Sequence, residues 1–218
     1  AIWHESIGQK FGRSFGLRAG TDAQLLDLAG DRATYRLFGN NVSARVPGGG
    51  EHRALTLAAV LLATVLSEGD LRRALELRPE LVPKGRGNEI QVGGVTIVDD
   101  SYNANPASVN AAIQSLAGHH QTGRTIAVLG EMLELGDASE GEHQQVVQIL
   151  AQVDSAVCVG DAFKGAAHKA RVPWFANAGD ALETVALMLV PGDRILIKGS
   201  NKVFWQNSFV EALIQRLS

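Results

Sequence analysis

Cysteine is almost missing from this chain, with Cys158 alone among 218 residues. A single thiol cannot close an internal disulfide, so a hydrophobic core must hold the fold, and a reducing compartment is the simplest setting. Cys158 lies within the apolar stretch SAVCVG, which favours a buried thiol over a reactive one. A dominant charge is also missing: 20 basic and 23 acidic residues leave a net charge of -3, so no basic field exists to recruit nucleic acid or an anionic membrane. The longest apolar stretch, Leu55 to Leu66, falls short of the roughly 20 residues a membrane-spanning helix needs. The opening AIWHESIGQKFGR lacks the apolar core of a signal peptide, and its first residue is Ala rather than Met. Together these absences lead to the expectation of a soluble, cytoplasmic chain.

Familiar catalytic signatures are absent too. No G-x-G-x-x-G follows a strand, which weakens a nicotinamide dehydrogenase reading. There is no G-x-x-x-x-G-K-[ST] phosphate loop, no H-E-x-x-H, no cysteine pair for zinc and no G-x-S-x-G elbow. The chain as it stands carries no self-contained catalytic motif, and no metal site is expected in it.

What is present falls into two rhythms. Up to about Glu51 short alternating segments (SFGLRA, QLLDLAG, ATYRLFG, VSARV) are joined at Gly and Asn-Asn, which predicts strands and hairpins. PGGGEH at 47–52 breaks that pattern, and a helix is expected from about His52 to Ser67. Leu55, Ala58, Ala59, Leu62 and Leu66 recur along it at helical spacing, and its other faces are also apolar, so packing on more than one side is expected. A short helix over GDLRRALELR follows. PELVPKGRGN then reads as a linker, because Pro79 and Pro83 forbid continuing the helix.

From Glu89 strands and helices alternate. EIQVGGVTIVDD predicts a hairpin turning at Gly93-Gly94. Asn105 suits an N-cap and Pro106 the first helical position, with Val109, Ala112, Ile113 and Leu116 as the buried stripe. Strands RTIAVLG, SAVCVG, VPWFA and DRILIKG then alternate with helices SEGEHQQVVQILAQ, DAFKGAAHKA and AGDALETVALML, before a last helix from about Phe204. Such alternation predicts an α/β fold whose mostly parallel sheet is covered by helices on both faces. Ligands in these folds sit at the carboxyl ends of the strands, so DDSYNANP, LGEMLELGD, VGDAF and IKGSNK should share one edge.

Several side chains along that edge bear on function, each with a plainer alternative. The carboxylates of Asp99 and Asp100 can accept hydrogen bonds from ribose hydroxyls or hold a cation, and the helix opening at Pro106 offers N–H groups to an anion. The alternative is an Asx turn in which Asn105 is only a cap. Arg86 can grip a phosphate or carboxylate, or be a solvated linker charge. His52 can stack on a ligand or sit at the surface. Lys198 ends a buried strand, where a charge points to function; Glu131 and Glu134 can orient an amine or simply solvate a loop. His119, His120 and His168 show no partner pattern.

Three of these segments, VDDSYNANPASVNAA, IAVLGEMLELGDASEGEH and ILIKGS, resemble in this order the C-terminal half of the Mur ligases. D-S-Y-N-A-N-P and G-[DE]-M-x-E-L-G are most similar to the branch that adds D-Ala-D-Ala. The likeness implies a Rossmann-like C-terminal ligase domain over 85–218. It also implies that residues 1–84 are the end of a central ATP-binding domain, a hairpin-and-helix remnant without the phosphate loop. The resemblance further implies a monomeric, ATP- and Mg2+-dependent enzyme of peptidoglycan precursor synthesis, within cell-wall biogenesis and division. Such an enzyme phosphorylates the carboxylate of UDP-N-acetylmuramoyl-tripeptide, and the amine of D-Ala-D-Ala attacks the acyl phosphate. This stretch by itself would be inactive.

Carried over by position, Arg86, Asp100, Asn103 and His52 are implied on the nucleotide side. Asn105, Glu131, Lys198 and Ser200 are implied on the dipeptide side, with Glu131 standing where the family more often has Asp. The sequence departs from the family at GEHRALT, where Arg53 and Thr56 replace two asparagines, and at Asn201, which replaces an arginine. Two other readings stay open: a sister ligase for another amino acid, and an α/β binding domain that kept the fold without the chemistry.

Overall fold

A computed structural model of the chain describes residues 2–4, 12–46, 50–76, 83–118 and 123–218. The end of the second expected helix and Pro79 of the expected linker lie outside these residues, as do Pro47 to Gly49, His119 and His120. The chain divides into two compact units, Ala1–Leu81 and Val82–Ser218.

The first unit is a five-stranded sheet in sequence order: β1 (Ile2–His4), β2 (Arg13–Gly16), β3 (Ala23–Ala29), β4 (Arg32–Leu37) and β5 (Asn40–Arg45). β1, β2 and β3 run parallel, and β3, β4 and β5 form an antiparallel meander. The β4–β5 turn is Phe38-Gly39, both at positive φ, whereas Asn40 already pairs with Leu37. The expected Asn-Asn join is therefore the start of a strand. α1 (Glu51–Leu66) packs on this sheet through Ala54, Ala58, Leu61 and Leu62, and the buried Tyr35 hydroxyl donates to the Ala54 carbonyl at 2.9 Å. α2 (Leu71–Glu76) follows it. α1 also meets α2, and Leu55, Leu57 and Val65 are partly buried against the same core, but among the described residues its outer face stays open, with Val60 48% exposed and Leu66 44%.

The second unit is the expected α/β fold. Its strands are β6 (Asn88–Val92), β7 (Val95–Asp100), β8 (Thr125–Gly130), β9 (Ser155–Val159), β10 (Trp174–Phe175) and β11 (Arg194–Lys198). They lie in the order β10-β9-β8-β11-β7-β6, all parallel except β6, which turns back from β7 through Gly93-Gly94. Alternation along each strand sends side chains to two cores. Val95, Ile97, Ile126, Val128, Val157, Ile195 and Ile197 face one, shared with α6 (Ala178–Met188) and α7 (Phe209–Leu217). Ala127, Leu129, Cys158 and Leu196 face the other, shared with α3 (Pro106–Ala117), α4 (Ser139–Ile149) and α5 (Lys164–Ala170). Burial pushes the Cys158 thiol up to about 12, in keeping with an inert core residue.

The chain runs from β7 over α3 to β8 and outward to β10. It then returns across the opposite face through α6 to lay β11 between β7 and β8. The last helix begins at Phe209, five residues later than the apolar pattern suggested. Residues 201–208 are turns, and Ser208 has φ 50°. Phe204 looks like a helix residue by pattern because it is fully buried, but it is packed against Gly130 and Gly199 instead. No helix among the described residues is long and apolar enough to cross a membrane.

Candidate functional site

The register places the ends of four strands together. Lys198 pairs with Asp100 and Leu129, and Gly130 pairs with Val159. The loops after β7, β8, β9 and β11 thus gather on one edge of the sheet, the arrangement that builds ligand sites in this architecture.

Two adjacent aspartates at the end of β7 do different jobs because consecutive strand residues face opposite sides. Asp99 is 4% exposed and turns toward the loop before β6. Its Oδ2 accepts from the Gly85 N–H at 2.9 Å, its carbonyl accepts from the Gly87 N–H at 2.6 Å, and its Oδ1 accepts from the Ser101 hydroxyl at 2.5 Å. Gly85 and Gly87, at φ 73° and 82°, flank Arg86, so Asp99 pins a Gly-Arg-Gly loop from both ends. Residue chemistry alone leaves Asp99 and Asp100 together as possible ligand groups, and the family resemblance singles out Asp100; the strand's parity separates them physically.

Arg86 is exposed in that loop, its guanidinium carbon 4.3 Å from the centre of the Tyr102 ring. Tyr102 meets Trp205 edge to face at 5.6 Å, and a Cβ on Gly85 would stand 2.7 Å from the Trp205 ring. Asp100, on the opposite side of β7, accepts from the Lys198 ammonium at 2.7 Å; Lys198 also donates to the Asn103 carbonyl at 2.9 Å. The Lys198 side chain is 4% exposed and that of Asp100 24%. With two of three ammonium donors engaged, Lys198 holds the loop between β7 and α3 and leaves Asp100 partly open. The Asn103 side chain is exposed.

Asn105 caps α3: its Oδ1 accepts from the Ser108 N–H at 2.9 Å, and Ser108 Oγ accepts from the Asn105 N–H at 3.1 Å. That reciprocal pair occupies the side-chain oxygen and leaves the amide nitrogen for a ligand. Glu131 Oε2 accepts from the Ala162 N–H at 3.0 Å, tying the loop after β8 to the turn that opens α5. Ser200 is buried, its hydroxyl accepting from the Leu133 N–H at 2.9 Å. Glu134 lies in the same loop at φ 66°. His52 belongs to the first unit, exposed on the first turn of α1, and its carbonyl accepts from the Thr56 hydroxyl at 2.9 Å. Among the described residues no group of three or more His, Cys, Asp or Glu could hold a metal ion.

His143 closes the segment IAVLGEMLELGDASEGEH, where the family resemblance gives it no role, yet it organises the same edge. It is fully buried and meets the Phe163 ring edge to face at 4.5 Å. The Met132 N–H donates to its Nε2 at 3.0 Å, so Nδ1 carries the proton and donates to the Ser139 carbonyl at 2.7 Å. The loop over 131–133 is therefore held through Glu131, His143 and Ser200, which leaves its conformation little freedom.

Residues 85–201 match the model of the family described as Mur ligase, glutamate ligase domain, more than half of the chain. The chain belongs to the Mur ligase family. Within that family it is similar to the UDP-N-acetylmuramoyl-tripeptide–D-alanyl-D-alanine ligase of Mycobacterium bovis, 32% identical over 205 residues that cover 80% of this chain and 40% of the relative. The ligase of the same name from Synechocystis is 32% identical over 200 residues, 87% of this chain and 42% of that one. Among solved structures, MurF from Acinetobacter baumannii superposes with a TM-score of 0.78 at 27% identity, covering 92% of this chain and 46% of that one. A MurF ligase from Thermotoga maritima in complex with ADP gives 0.76 at 23% identity, covering 94% and 48%, a likeness of fold alone. This Mur ligase chain spans about two fifths of the length of the curated relatives it matches.

Proposed function

We propose that this chain is the C-terminal portion of an ATP-dependent amide ligase that joins D-Ala-D-Ala to UDP-N-acetylmuramoyl-tripeptide in peptidoglycan precursor synthesis. Residues 1–84 would be the end of its ATP-binding domain and 85–218 its C-terminal ligase domain. The carrying observation is the sheet edge on which Arg86, a partly open Asp100 and an exposed Asn103 gather beside Asn105, Glu131, Lys198 and Ser200. The curated relatives named above carry that activity in their names.

In this reading ATP would supply the phosphoryl group that activates the tripeptide carboxylate, with Mg2+ and the phosphate loop contributed mainly by a part of the central domain that this chain does not include. The chain's own residues bind and orient. Arg86 offers a planar cation to phosphate oxygens, Asp100 accepts from a ribose hydroxyl, and Asn103 adds an amide on the same side. His52, exposed on the first unit, is a nucleotide contact by the family resemblance alone. The Asn105 amide nitrogen faces the incoming dipeptide; Glu131, Lys198 and Ser200 act mainly by fixing the loops that frame it. Holding the amine close and water out is what an acyl phosphate requires, since hydrolysis competes with transfer. The enzyme would be a cytoplasmic monomer, with neither nucleic acid nor membrane as partner.

The test is calorimetric titration of the complete protein, and of this chain, with Mg-ATP and with D-Ala-D-Ala. The complete protein should bind both and the chain weakly or not at all. Binding of neither by the complete protein would instead favour an α/β binding domain that kept the fold. Within the ligase, Asp100→Ala should raise the KM for ATP about tenfold, the scale of one charge-assisted hydrogen bond; an unchanged KM removes Asp100 from the nucleotide site.

A further inference from the structure

The turn segment after β11 carries a feature that the proposed ligand contacts do not use. Trp205 is 36% exposed, although residues 201–208 are tied tightly around it. The Val203 N–H donates to the Ser200 carbonyl at 2.9 Å, the Gln206 N–H to the Asn201 carbonyl at 2.9 Å, and the Asn207 amide to the Lys202 and Val203 carbonyls at 2.8 Å each. Phe204, fully buried against Gly130 and Gly199, anchors the segment to the sheet. A half-open indole on so firm a base has a specific neighbour. It meets Tyr102 edge to face at 5.6 Å, and the other partner of Tyr102 is the Arg86 guanidinium at 4.3 Å. The wall that Trp205 presents to Gly85 also leaves that backbone no room for a side chain.

We propose that Trp205 is a positioning residue for Arg86, acting through Tyr102: the turn after β11 sets the indole, the indole sets the Tyr102 ring, and the ring's face holds the guanidinium plane toward the ligand. A long arginine side chain loses rotamer freedom when it grips a phosphate. Stacking on a fixed ring removes part of that loss beforehand, and the negative ring face favours the cation. The chain thereby links the loop after β11 to the loop before β6, the two segments farthest apart in sequence at this edge.

The inference rests on the reading of Arg86 as a nucleotide contact, and the experiment separates the two. In the complete protein, Arg86→Ala, Trp205→Ala, Trp205→Phe and the double variant Arg86→Ala/Trp205→Ala are compared for ADP affinity by calorimetry and for kcat and the KM for ATP. Thermal melts verify that each variant is folded. Trp205→Ala should weaken ADP binding and raise the KM about threefold to tenfold, the range of one oriented cation–aromatic contact, with kcat within about twofold. Trp205→Phe should recover most of the loss, and in the Arg86→Ala background Trp205→Ala should add nothing. An undiminished Trp205→Ala effect in that background overturns the positioning role while leaving Arg86 in the site. A wild-type ADP affinity for Arg86→Ala removes the nucleotide contact itself, and the proposal falls with it.

Discussion

Replacing Lys198 with methionine removes the ammonium and keeps most of the stem. In the native chain Nζ bonds Asp100 at 2.7 Å and the Asn103 carbonyl at 2.9 Å, and the lysine side chain is 4% exposed. Taking one partner out of a buried pair costs about 3–5 kcal/mol, because the other charge is left uncompensated. Here the carboxylate left behind is 24% exposed and can rehydrate, so a loss of about 2–3 kcal/mol is expected. For a domain of this size that lowers the melting temperature by about 6–9 °C. Urea unfolding followed by circular dichroism, run as a cycle with Asp100→Asn, isolates the pair. Asp100→Asn alone should cost about 1–2 kcal/mol, since Lys198 keeps its bond to the Asn103 carbonyl. The double variant should be little worse than Lys198→Met, giving a coupling of about 1–2 kcal/mol. Additivity within about 0.5 kcal/mol would refute the idea that these side chains hold each other.

Two further outcomes concern pH. Burial works to raise the Asp193 carboxyl, but hydrogen bonds from the Arg124 side chain and from the Val190 and Arg124 main-chain N–H groups together outweigh it and hold it below the usual carboxylate range. Its contribution is thus present above the unfolded carboxylate pKa of about 4 and lost as pH falls through the folded value, so Asp193→Asn should flatten the acid limb of a stability–pH curve. An acid limb identical in the variant would sink that assignment. Burial pushes the Tyr35 phenol from 10.0 up to about 12, so its share of stability is intact below pH 10.0 and erodes as pH rises toward 12. Tyr35→Phe should cost about 1 kcal/mol at neutral pH, for the lost bond to the Ala54 carbonyl, and abolish that alkaline erosion.

The second unit was legible because buried parallel strands are written as short apolar runs with helices between them, and because Gly93-Gly94 and Asn105-Pro106 punctuate them chemically. The gathering of four loops on one edge followed from that alternation alone. What stayed hidden depends on contacts across long sequence separations. Lys198 reads as a charge at a strand end, and only its register with Asp100, 98 residues away, reveals how its donors are engaged. Phe204 reads as the start of a helix because burial and helicity leave the same apolar mark; the glycines that receive it are Gly130, at the end of β8, and Gly199, just past the end of the neighbouring β11. Asp99 and His143 stand inside the segments that carry the family resemblance but draw no role from it, since most of what they bind is backbone. β1 was missed because three residues are too short to show a period.

Among the described residues β11 comes last of the strands in sequence yet lies inside the sheet, between β7 and β8. During synthesis, β7 and β8 leave the ribosome with an open slot between them, and each presents an unpaired inner edge until residues 194–198 arrive. No native pairing closes that gap earlier, so the nascent unit must wait with aggregation-prone edges exposed. Premature termination before Arg194 would remove the strand that joins the two halves of the sheet, along with Lys198 and the Trp205 turn. Translation past Lys198 thus becomes a checkpoint: a product without β11 cannot assemble the ligand edge, and it would carry the exposed strand edges that quality-control proteases and chaperones recognise.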